Sequence, residues 1–207
     1  MVTRDPMTNV LTDEELMLRV RDGQRDSLGL LFDRYQVALF NFYLKLTGNR
    51  VASEDLVQEV FLRILKYRQS YRPGTLFRTW MYQIARNTRL RHLRKEVPAI
   101  AWKATEDSTA VFATDTAELT EDIGRLYRAL RQIPDDKREL LILSRFQGLK
   151  HEQIAHLYGC SVGAVRVKLH RALRELREQF HVLGCPCRQH EKGSGRARPL
   201  VVAGSGS

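Results

Sequence analysis

Cysteine is scarce in this 207-residue chain, with Cys160, Cys185 and Cys187 the only three. Three late cysteines do not make a disulfide framework, which favours a reducing cytoplasm. The chain has no run of about 18 apolar residues, so we expect no membrane span. Its N-terminus is polar and acidic where a signal peptide needs an apolar core, so export is not expected. No nucleophile, metal or phosphate-loop constellation stands out, which argues against an enzyme.

Acidic residues are missing from residues 60–95, while ten basic residues lie there and match the formal net charge of +10 of the whole chain. Five aromatic residues are interleaved with them: Tyr67, Tyr71, Phe77, Trp80 and Tyr82. Cations neutralise phosphates and flat rings accept unstacked bases, so the pattern favours a nucleic acid. The alternative is an ordinary solvated basic helix with buried aromatic residues.

Helical periodicity predicts two faces on a helix over residues 75–95. One face is largely apolar and suits burial: Phe77, Trp80, Met81, Ile84, Ala85 and Thr88. A neighbouring stripe is basic and partly aromatic, and could be offered to a ligand: Arg78, Tyr82, Arg86, Arg89 and Leu93. Residues 72–74, with the sequence Arg-Pro-Gly, break the preceding helix. The loop that they begin is a plausible place to hold a base.

Strand signals are nearly absent, so the predicted fold class is all-α. We expect two small helical domains, residues 12–96 and 120–183, the second a helix-turn-helix domain. A flexible linker is predicted at residues 97–119, where helical periodicity fades and Pro, Thr, Ala, Asp and Ser accumulate. Residues 1–11 and 184–207 are predicted to be disordered.

Several helix ends carry recognisable signals. Thr12 with Glu15 predicts a capping box at the start of the first helix, and Gly48 should end the second. Ser53 is expected to cap the third helix. Thr120 is expected to cap the first helix of the second domain.

An outer face of the third predicted helix combines acids, an amide and a leucine at spacings of i, i+3, i+4 and i+7: Asp55, Gln58, Glu59 and Leu62. An acidic and amide patch around an exposed leucine favours docking of another protein. The alternative is a solvated face with one exposed leucine, which is common on protein surfaces.

A short helix at 151–158, a turn at 159–161 and a longer basic helix predict a helix-turn-helix. Ala155, Gly159 and Val165 supply the small, turn and core residues that this motif needs. Lys150 stands where Ser or Thr would cap the short helix, so its start is expected to fray. Basic side chains leave the second helix, whose first turns could enter the major groove. The alternative is a helical hairpin with a charged exterior.

The C-terminal tail holds the one cluster with ligand chemistry: His181, Cys185, Cys187 and His190. Two thiolates and two imidazoles could hold zinc or copper, although Cys-Pro-Cys is tighter than the usual structural zinc spacing. Metal- or redox-responsive regulation is therefore an alternative, and otherwise no cofactor is expected. Cys160 is better explained as a small packed residue than as a sensor.

Taken together, these segments resemble the extracytoplasmic-function (ECF) sigma factors of bacterial RNA polymerase. The likeness covers roughly residues 13–183. It rests on these motifs, in this order: residues 55–63 (DLVQEVFLR), 79–87 (TWMYQIARN), 130–134 (LRQIP), 148–155 (GLKHEQIA), 161–166 (SVGAVR) and the pair His170-Arg171. Arg91 departs from the pattern, because the family often has Asp there.

The resemblance implies a role for each surface. The face with Asp55, Gln58, Glu59 and Leu62 would bind the clamp helices of the polymerase's largest subunit. The loop at 68–77 and the following helix would capture a flipped base and open the −10 element, with these residues in contact: Arg72, Phe77, Arg78, Trp80, Arg86 and Asn87. The second helix of the helix-turn-helix would read the −35 element through Arg166, Val167, Lys168, His170 and Arg171.

The resemblance therefore implies a transcription initiation factor without catalysis of its own. Its partners would be core RNA polymerase, promoter DNA and an anti-sigma protein. A stand-alone helix-turn-helix regulator is the alternative function. Residues 60–95 would be surplus in such a regulator, which counts against it.

Overall fold

The computed structural model describes residues 11–96 and 117–184. All regular secondary structure in these two ranges is helical, which confirms the predicted all-α fold class. The predictions made for residues 1–10, 97–116 and 185–207 lie outside the described residues. No helix of the described part is long and apolar enough to cross a membrane.

Two groups of helices follow one another along the described chain. The first, called the N-terminal unit here, contains α1 (Asp13–Arg21), α2 (Asp26–Thr47), α3 (Arg50–Tyr67), a 3₁₀ turn (Arg68–Ser70) and α4 (Phe77–Glu96). The second, the C-terminal unit, contains α5 (Ala117–Gln132), α6 (Asp135–Leu141), a π-helical segment (Ile142–Phe146), α7 (His151–Tyr158) and α8 (Val162–Gly184).

Local signals explain most starts and ends in the N-terminal unit. The Thr12 amide donates to Glu15 Oε2 at 2.8 Å and the Glu15 amide to Thr12 Oγ1 at 3.2 Å, which confirms the capping box. Gly48 ends α2 with φ +67°, a conformation that favours glycine. The prediction that Ser53 caps α3 is wrong. Asn49 Oδ1 accepts from the Ala52 amide at 3.0 Å, so α3 begins earlier and Ser53 is buried within it.

The start of the C-terminal unit also differs from the prediction. Helix α5 begins at Ala117, so Thr120 lies inside the helix and residues 117–119, predicted as linker, are helical. Pro134 separates α5 from α6, because proline lacks the amide that would continue a helix.

The helix-turn-helix is formed by α7 and α8. Gly159 makes the turn with φ +61°, and Ser161 Oγ accepts from the Ala164 amide at 3.2 Å to cap α8. Ala155 and Val165 are buried where the two helices meet. The start of α7 is held rather than frayed, because the Lys150 amide donates to Gln153 Oε1 at 2.8 Å.

A hydrophobic core runs from one unit into the other. The N-terminal unit contributes fully buried side chains such as Leu31, Phe42 and Ile64. The C-terminal unit continues the same cluster with Leu130, Ile142, Ile154 and further apolar residues. Contacts join α2 to α6 and the π-helical segment, and α4 to α7. The two units are thus packed directly against each other in this structure.

Candidate protein and nucleic-acid interfaces

The structure brings the four residues of the predicted docking face together on α3. Leu62 is 64% exposed, and Asp55 and Gln58 are exposed beside it. Glu59 is half-buried and forms an ion pair with Arg63, one turn along the helix. An apolar side chain surrounded by acid and amide groups can fill a pocket of a partner while its rim stays polar.

The loop before α4 is braced from within the N-terminal unit. Tyr71 is buried, its hydroxyl donates to the Thr75 carbonyl at 2.5 Å, and its ring lies 5.2 Å from that of Trp80 in an edge-on contact. Trp80 is half-buried, whereas Arg72 is exposed. The exposed Arg72 side chain therefore lies on a loop that the contact between Tyr71 and Trp80 holds in place.

Phe77 lies in the hydrophobic core with 0% exposure, although the resemblance grouped it with the DNA contacts. Its ring packs 5.4 Å from Tyr35, and its amide donates to Glu14 Oε1 at 3.0 Å. The structure thus gives Phe77 the place that helical periodicity predicted, on the apolar face of α4. In this conformation it supports Trp80, whose ring centre is 6.5 Å away.

The predicted basic stripe of α4 is not open to solvent along most of its length, because the C-terminal unit covers it and only Leu93 at its end is exposed. The Arg78 guanidinium donates to the backbone carbonyl of Gln147. The Tyr82 hydroxyl donates to Gln147 Oε1 at 2.6 Å, and Tyr82 is fully buried. Burial raises the pKa of Tyr82 to about 12, so its hydroxyl stays a donor at neutral pH.

Further along the stripe, two arginines meet carboxylates of α6. Arg86 Nε lies 3.0 Å from Glu139 Oε1, and Arg89 Nη2 lies 2.6 Å from Asp135 Oδ2. Glu139 and Arg89 are both buried. Burial raises the pKa of Glu139 above its ordinary value, and the charges of Arg86 and Arg89 oppose this rise. These pairs hold α4 against α6.

An aromatic ring completes the surroundings of Arg86. Its guanidinium carbon lies 4.0 Å from the centre of the Tyr158 ring, and Nη1 donates to the Leu157 carbonyl at 3.3 Å. Asn87, the next residue, is exposed. Of the six residues assigned to the −10 element, Arg72 and Asn87 are thus exposed, and Arg78 and Arg86 contact the C-terminal unit.

The five residues assigned to the −35 element are all exposed on the first half of α8: Arg166, Val167, Lys168, His170 and Arg171. Val165, Leu169 and Ala172 pack inward from the same turns and fix the orientation of the helix. The N-terminal half of α8 therefore presents three cations and an imidazole on a rigid scaffold. This arrangement suits insertion into the major groove.

The C-terminal cluster of possible metal ligands is largely outside the described residues, which include only His181 of its four members. Within 11–96 and 117–184, no three His, Cys, Asp or Glu side chains are grouped as metal ligands would be. Cys160 is half-buried and packs against the core.

Sequence reasoning missed the residues that join the two units, above all Glu139, Gln147 and Tyr158. Glu139 and Gln147 are buried polar residues, and neither belongs to a motif that the sequence analysis singled out. The opposite charges of α4 and of the start of α6 were the one available signal. That signal alone does not identify which residues pair.

Comparison with known proteins identifies the family of this chain. Residues 31–97 match the family Sigma-70 region 2, and residues 123–176 match Sigma-70, region 4. The chain is 34% identical over 163 residues to RNA polymerase sigma factor CarQ of Myxococcus xanthus, covering 78% of this chain and 94% of that protein. It is 30% identical over 178 residues to the ECF RNA polymerase sigma-E factor of Escherichia coli K12, covering 80% of this chain and 93% of that protein.

Two solved structures share the fold. One is CnrH in complex with the cytosolic domain of CnrY (TM-score 0.64, 21% identity, 82% of this chain and 97% of that chain). The other is the sigma factor RpoE of Bartonella quintana in complex with the anti-sigma factor NepR (TM-score 0.63, 24% identity, 76% of this chain and 98% of that chain). The chain therefore belongs to the ECF sigma factors, the non-enzymatic initiation factors that direct RNA polymerase to promoters.

Proposed function

We propose that three surfaces of this chain have separate roles in transcription initiation. The α3 face around Leu62 binds core RNA polymerase, the loop before α4 and α4 itself open the −10 element, and α8 reads the −35 element. The observation that carries this proposal is the placement of the assigned residues. The polymerase face and the −35 face are separately exposed on rigid helices.

The α3 face suits a protein partner better than DNA. Its charged residues Asp55 and Glu59 are acidic, and they would repel phosphates. Leu62 supplies the apolar anchor that protein interfaces place at their centre. On a protein with a formal net charge of +10, an acidic docking face also keeps the polymerase contact apart from the DNA contacts.

The α8 face suits duplex DNA. Arg166, Lys168 and Arg171 can contact guanine edges or phosphates, and Val167 is 51% exposed and could contact a thymine methyl group. Phosphate contacts would position the helix, and contacts to base edges would give the sequence preference.

For the −10 element, we assign direct contacts to Arg72, Asn87 and the exposed part of Trp80. Arg78 and Arg86 join them once the C-terminal unit moves away from α4. Extruding a base costs a few kcal/mol, which stacking and polar contacts can offset. Phe77 acts from the core by holding Trp80 and the start of α4 in place.

We also propose that an anti-sigma protein controls this chain in the cytoplasm, where the polymerase works. Support comes from the two solved structures with the same fold, of which one contains the cytosolic domain of CnrY and the other the anti-sigma factor NepR. The chemistry of this chain does not identify the inhibitor.

For cofactors, we propose that initiation by this chain requires none of its own. The tail candidates His181, Cys185, Cys187 and His190 leave zinc or copper as the alternative. Elemental analysis of the purified chain, compared with a variant in which Cys185 and Cys187 are changed to serine, tests this. Near-stoichiometric metal that disappears in the variant would establish a metal site.

Reconstituted transcription tests the proposed function. Core polymerase, this protein and fragmented bacterial genomic DNA are combined, and transcripts are sequenced with and without the protein. We expect new transcripts whose start sites share two upstream sequence elements. Specific DNA binding without polymerase, together with no new transcript, would instead favour the stand-alone regulator.

A further inference from the structure

We propose that a cavity among the helix ends binds a small organic anion that carries an apolar body. The cavity has a volume of about 590 Å³ and is lined by the last turns of α2, α4, α5 and α8 and the first turns of α3 and α6. None of the described residues that line it was assigned above to polymerase or to promoter DNA. The site would therefore give this initiation factor a small-molecule input that is separate from its three proposed surfaces.

The apolar part of the lining comes from four helices. Leucines of α2, α3, α4 and α8 contribute to it: Leu46, Leu56, Leu93 and Leu183. Ala52, on α3, also lines the cavity, and its short side chain leaves the space beside it open. Sites for small organic molecules usually have volumes of about 300–1,000 Å³ and a largely apolar lining. The cavity thus has the size and the walls that suit an apolar body.

The charged part of the lining is mainly cationic, with four arginines and one carboxylate: Arg89, Arg128, Arg131, Arg138 and Asp135. Asp135 is shared between two of the arginines, because its Oδ2 lies 2.6 Å from Arg89 Nη2 and its Oδ1 lies 3.2 Å from Arg138 Nη1. Arg128 and Arg131 are exposed near the end of α5. No second carboxylate of the described residues lines the cavity, so positive charge is in excess there.

The carbonyl ends of α2 and α5 also meet at this cavity, and unbound carbonyls would oppose an anion. Arg138 already binds them. Its guanidinium donates to the Leu46 carbonyl at the end of α2 at 3.2 Å, and to the Leu130 and Ile133 carbonyls at the end of α5 at 2.8 and 3.0 Å. The negative ends of both helices are therefore compensated before a ligand binds.

The cations around the cavity also repel one another. Burial lowers the pKa of Arg138, the charge of Asp135 opposes this change, and the charges of Arg89 and Arg131 lower the pKa further. Arg89 is only 4% exposed, and its buried Nε has no hydrogen-bond partner among the described residues. An anion in the cavity would reduce the repulsion between these guanidinium groups.

Together, the two parts of the lining define the class of ligand. Inorganic phosphate would pair with the arginines but would leave the apolar walls in contact with water. A neutral apolar molecule would cover those walls but would leave the arginines without an anion. A carboxylate, sulfonate or phosphate group on an apolar chain or ring satisfies both parts, because guanidinium groups bind such oxyanions with paired hydrogen bonds.

Titration of the full-length chain with anilinonaphthalene sulfonate tests the site. This fluorescent probe joins aromatic rings to a sulfonate, and we expect saturable binding to one strong site. Decanoate and naphthoate should displace the probe, and the stronger competitor shows whether the site prefers a chain or a ring. Decanamide and inorganic phosphate should displace it much less at the same concentration. Displacement by either of these two as effective as that by decanoate would overturn the proposed ligand chemistry.

Two variants place the probe in this cavity. Ala52→Phe should fill the space without a change of charge and raise the dissociation constant about tenfold or more, whereas Ala52→Ser keeps the space open and should bind like the parent. Arg128→Ala removes an exposed cation and should weaken binding about three- to fivefold. Arg145→Ala is the control for charge, since Arg145 is an exposed arginine that does not line the cavity.

Parent-like affinity in both Ala52→Phe and Arg128→Ala would overturn the site. Equal weakening by Arg128→Ala and Arg145→Ala would overturn it too, since the probe would then respond only to the net charge of the protein. Circular dichroism shows whether each variant is folded. If Ala52→Phe does not fold, the comparison of Arg128→Ala with Arg145→Ala decides, because both arginines are exposed and neither substitution disturbs the core.

Discussion

The guanidinium carbon of Arg86, on α4, lies 4.0 Å from the centre of the Tyr158 ring, on α7. This contact joins the N-terminal unit to the helix-turn-helix. The Nζ atom of Lys168, a residue assigned to the −35 element, lies 6.0 Å from the centre of the same ring. The surfaces assigned to the two promoter elements therefore meet at one aromatic side chain.

We expect Arg166→Ala and Arg171→Ala each to weaken binding of holoenzyme to duplex promoter DNA. A lost bidentate contact to guanine costs about 1–3 kcal/mol, or about 5- to 150-fold in affinity. A lost phosphate contact would instead lower the slope of log affinity against log salt by about one. Binding measured by fluorescence anisotropy at several salt concentrations distinguishes the two roles.

Arg177→Ala is the matched control for these two variants. Arg177 is also an exposed arginine of α8, six residues beyond Arg171, or about 9 Å along the helix. It should leave promoter affinity nearly unchanged. Parent-like affinity for both Arg166→Ala and Arg171→Ala would remove the assignment of α8 as the recognition helix.

We expect substitution of Phe77 to reduce the stability of the folded protein, rather than to remove a direct contact with DNA. Because its ring is fully buried beside Tyr35 and Trp80, Phe77→Ala should lower the free energy of unfolding by about 3–5 kcal/mol, measured by urea titration. Phe77→Leu should cost less. A variant of parental stability that fails to open the −10 element would show that Phe77 contacts DNA directly.

Glu139 should give stability a specific pH dependence. Burial is the largest influence on this carboxyl and raises its pKa above 4.5, against the pull of Arg86 and Arg89. Stability from a raised carboxyl pKa is fully present below the unfolded pKa and is lost as pH rises through the folded pKa. Relative to the parent, Glu139→Gln should therefore become more stable as pH rises from about 4.5 towards neutrality.

Urea titrations of both proteins at a series of pH values test this difference. Asp135→Asn is the control, because the Asp135 side chain is 52% exposed in its pair with Arg89. The opposite trend, with Glu139→Gln losing stability relative to the parent as pH rises, would show that pairing with Arg86 and Arg89 outweighs burial and lowers the pKa.

Sequence patterns correctly predicted helix ends and turns where a single local interaction determines the backbone conformation. The capping box of Thr12 and Glu15 and the turn at Gly159 each depend on a few neighbouring residues, and both were confirmed. The prediction failed at Ser53 because Asn49, four residues earlier, offers a competing cap.

Long-range packing explains what the sequence did not reveal. The periodicity of α4 correctly distinguished its basic stripe from its apolar face. It could not show that Tyr82 and Arg89 would be covered by residues of the C-terminal unit, with partners 65 and 46 positions away along the chain. Gln147 makes its decisive bonds to residues 65 and 109 positions away, which no local pattern encodes.

Gel filtration of Leu62→Arg with core RNA polymerase tests the assignment of the α3 face most directly. An arginine on this face would bury an unpaired charge in the complex, so we expect co-elution with polymerase at moderate salt to be lost. Leu30→Arg, at a leucine of α2 that is 51% exposed, is the matched control and should co-elute like the parent protein. Stoichiometric co-elution of Leu62→Arg with polymerase would contradict the account.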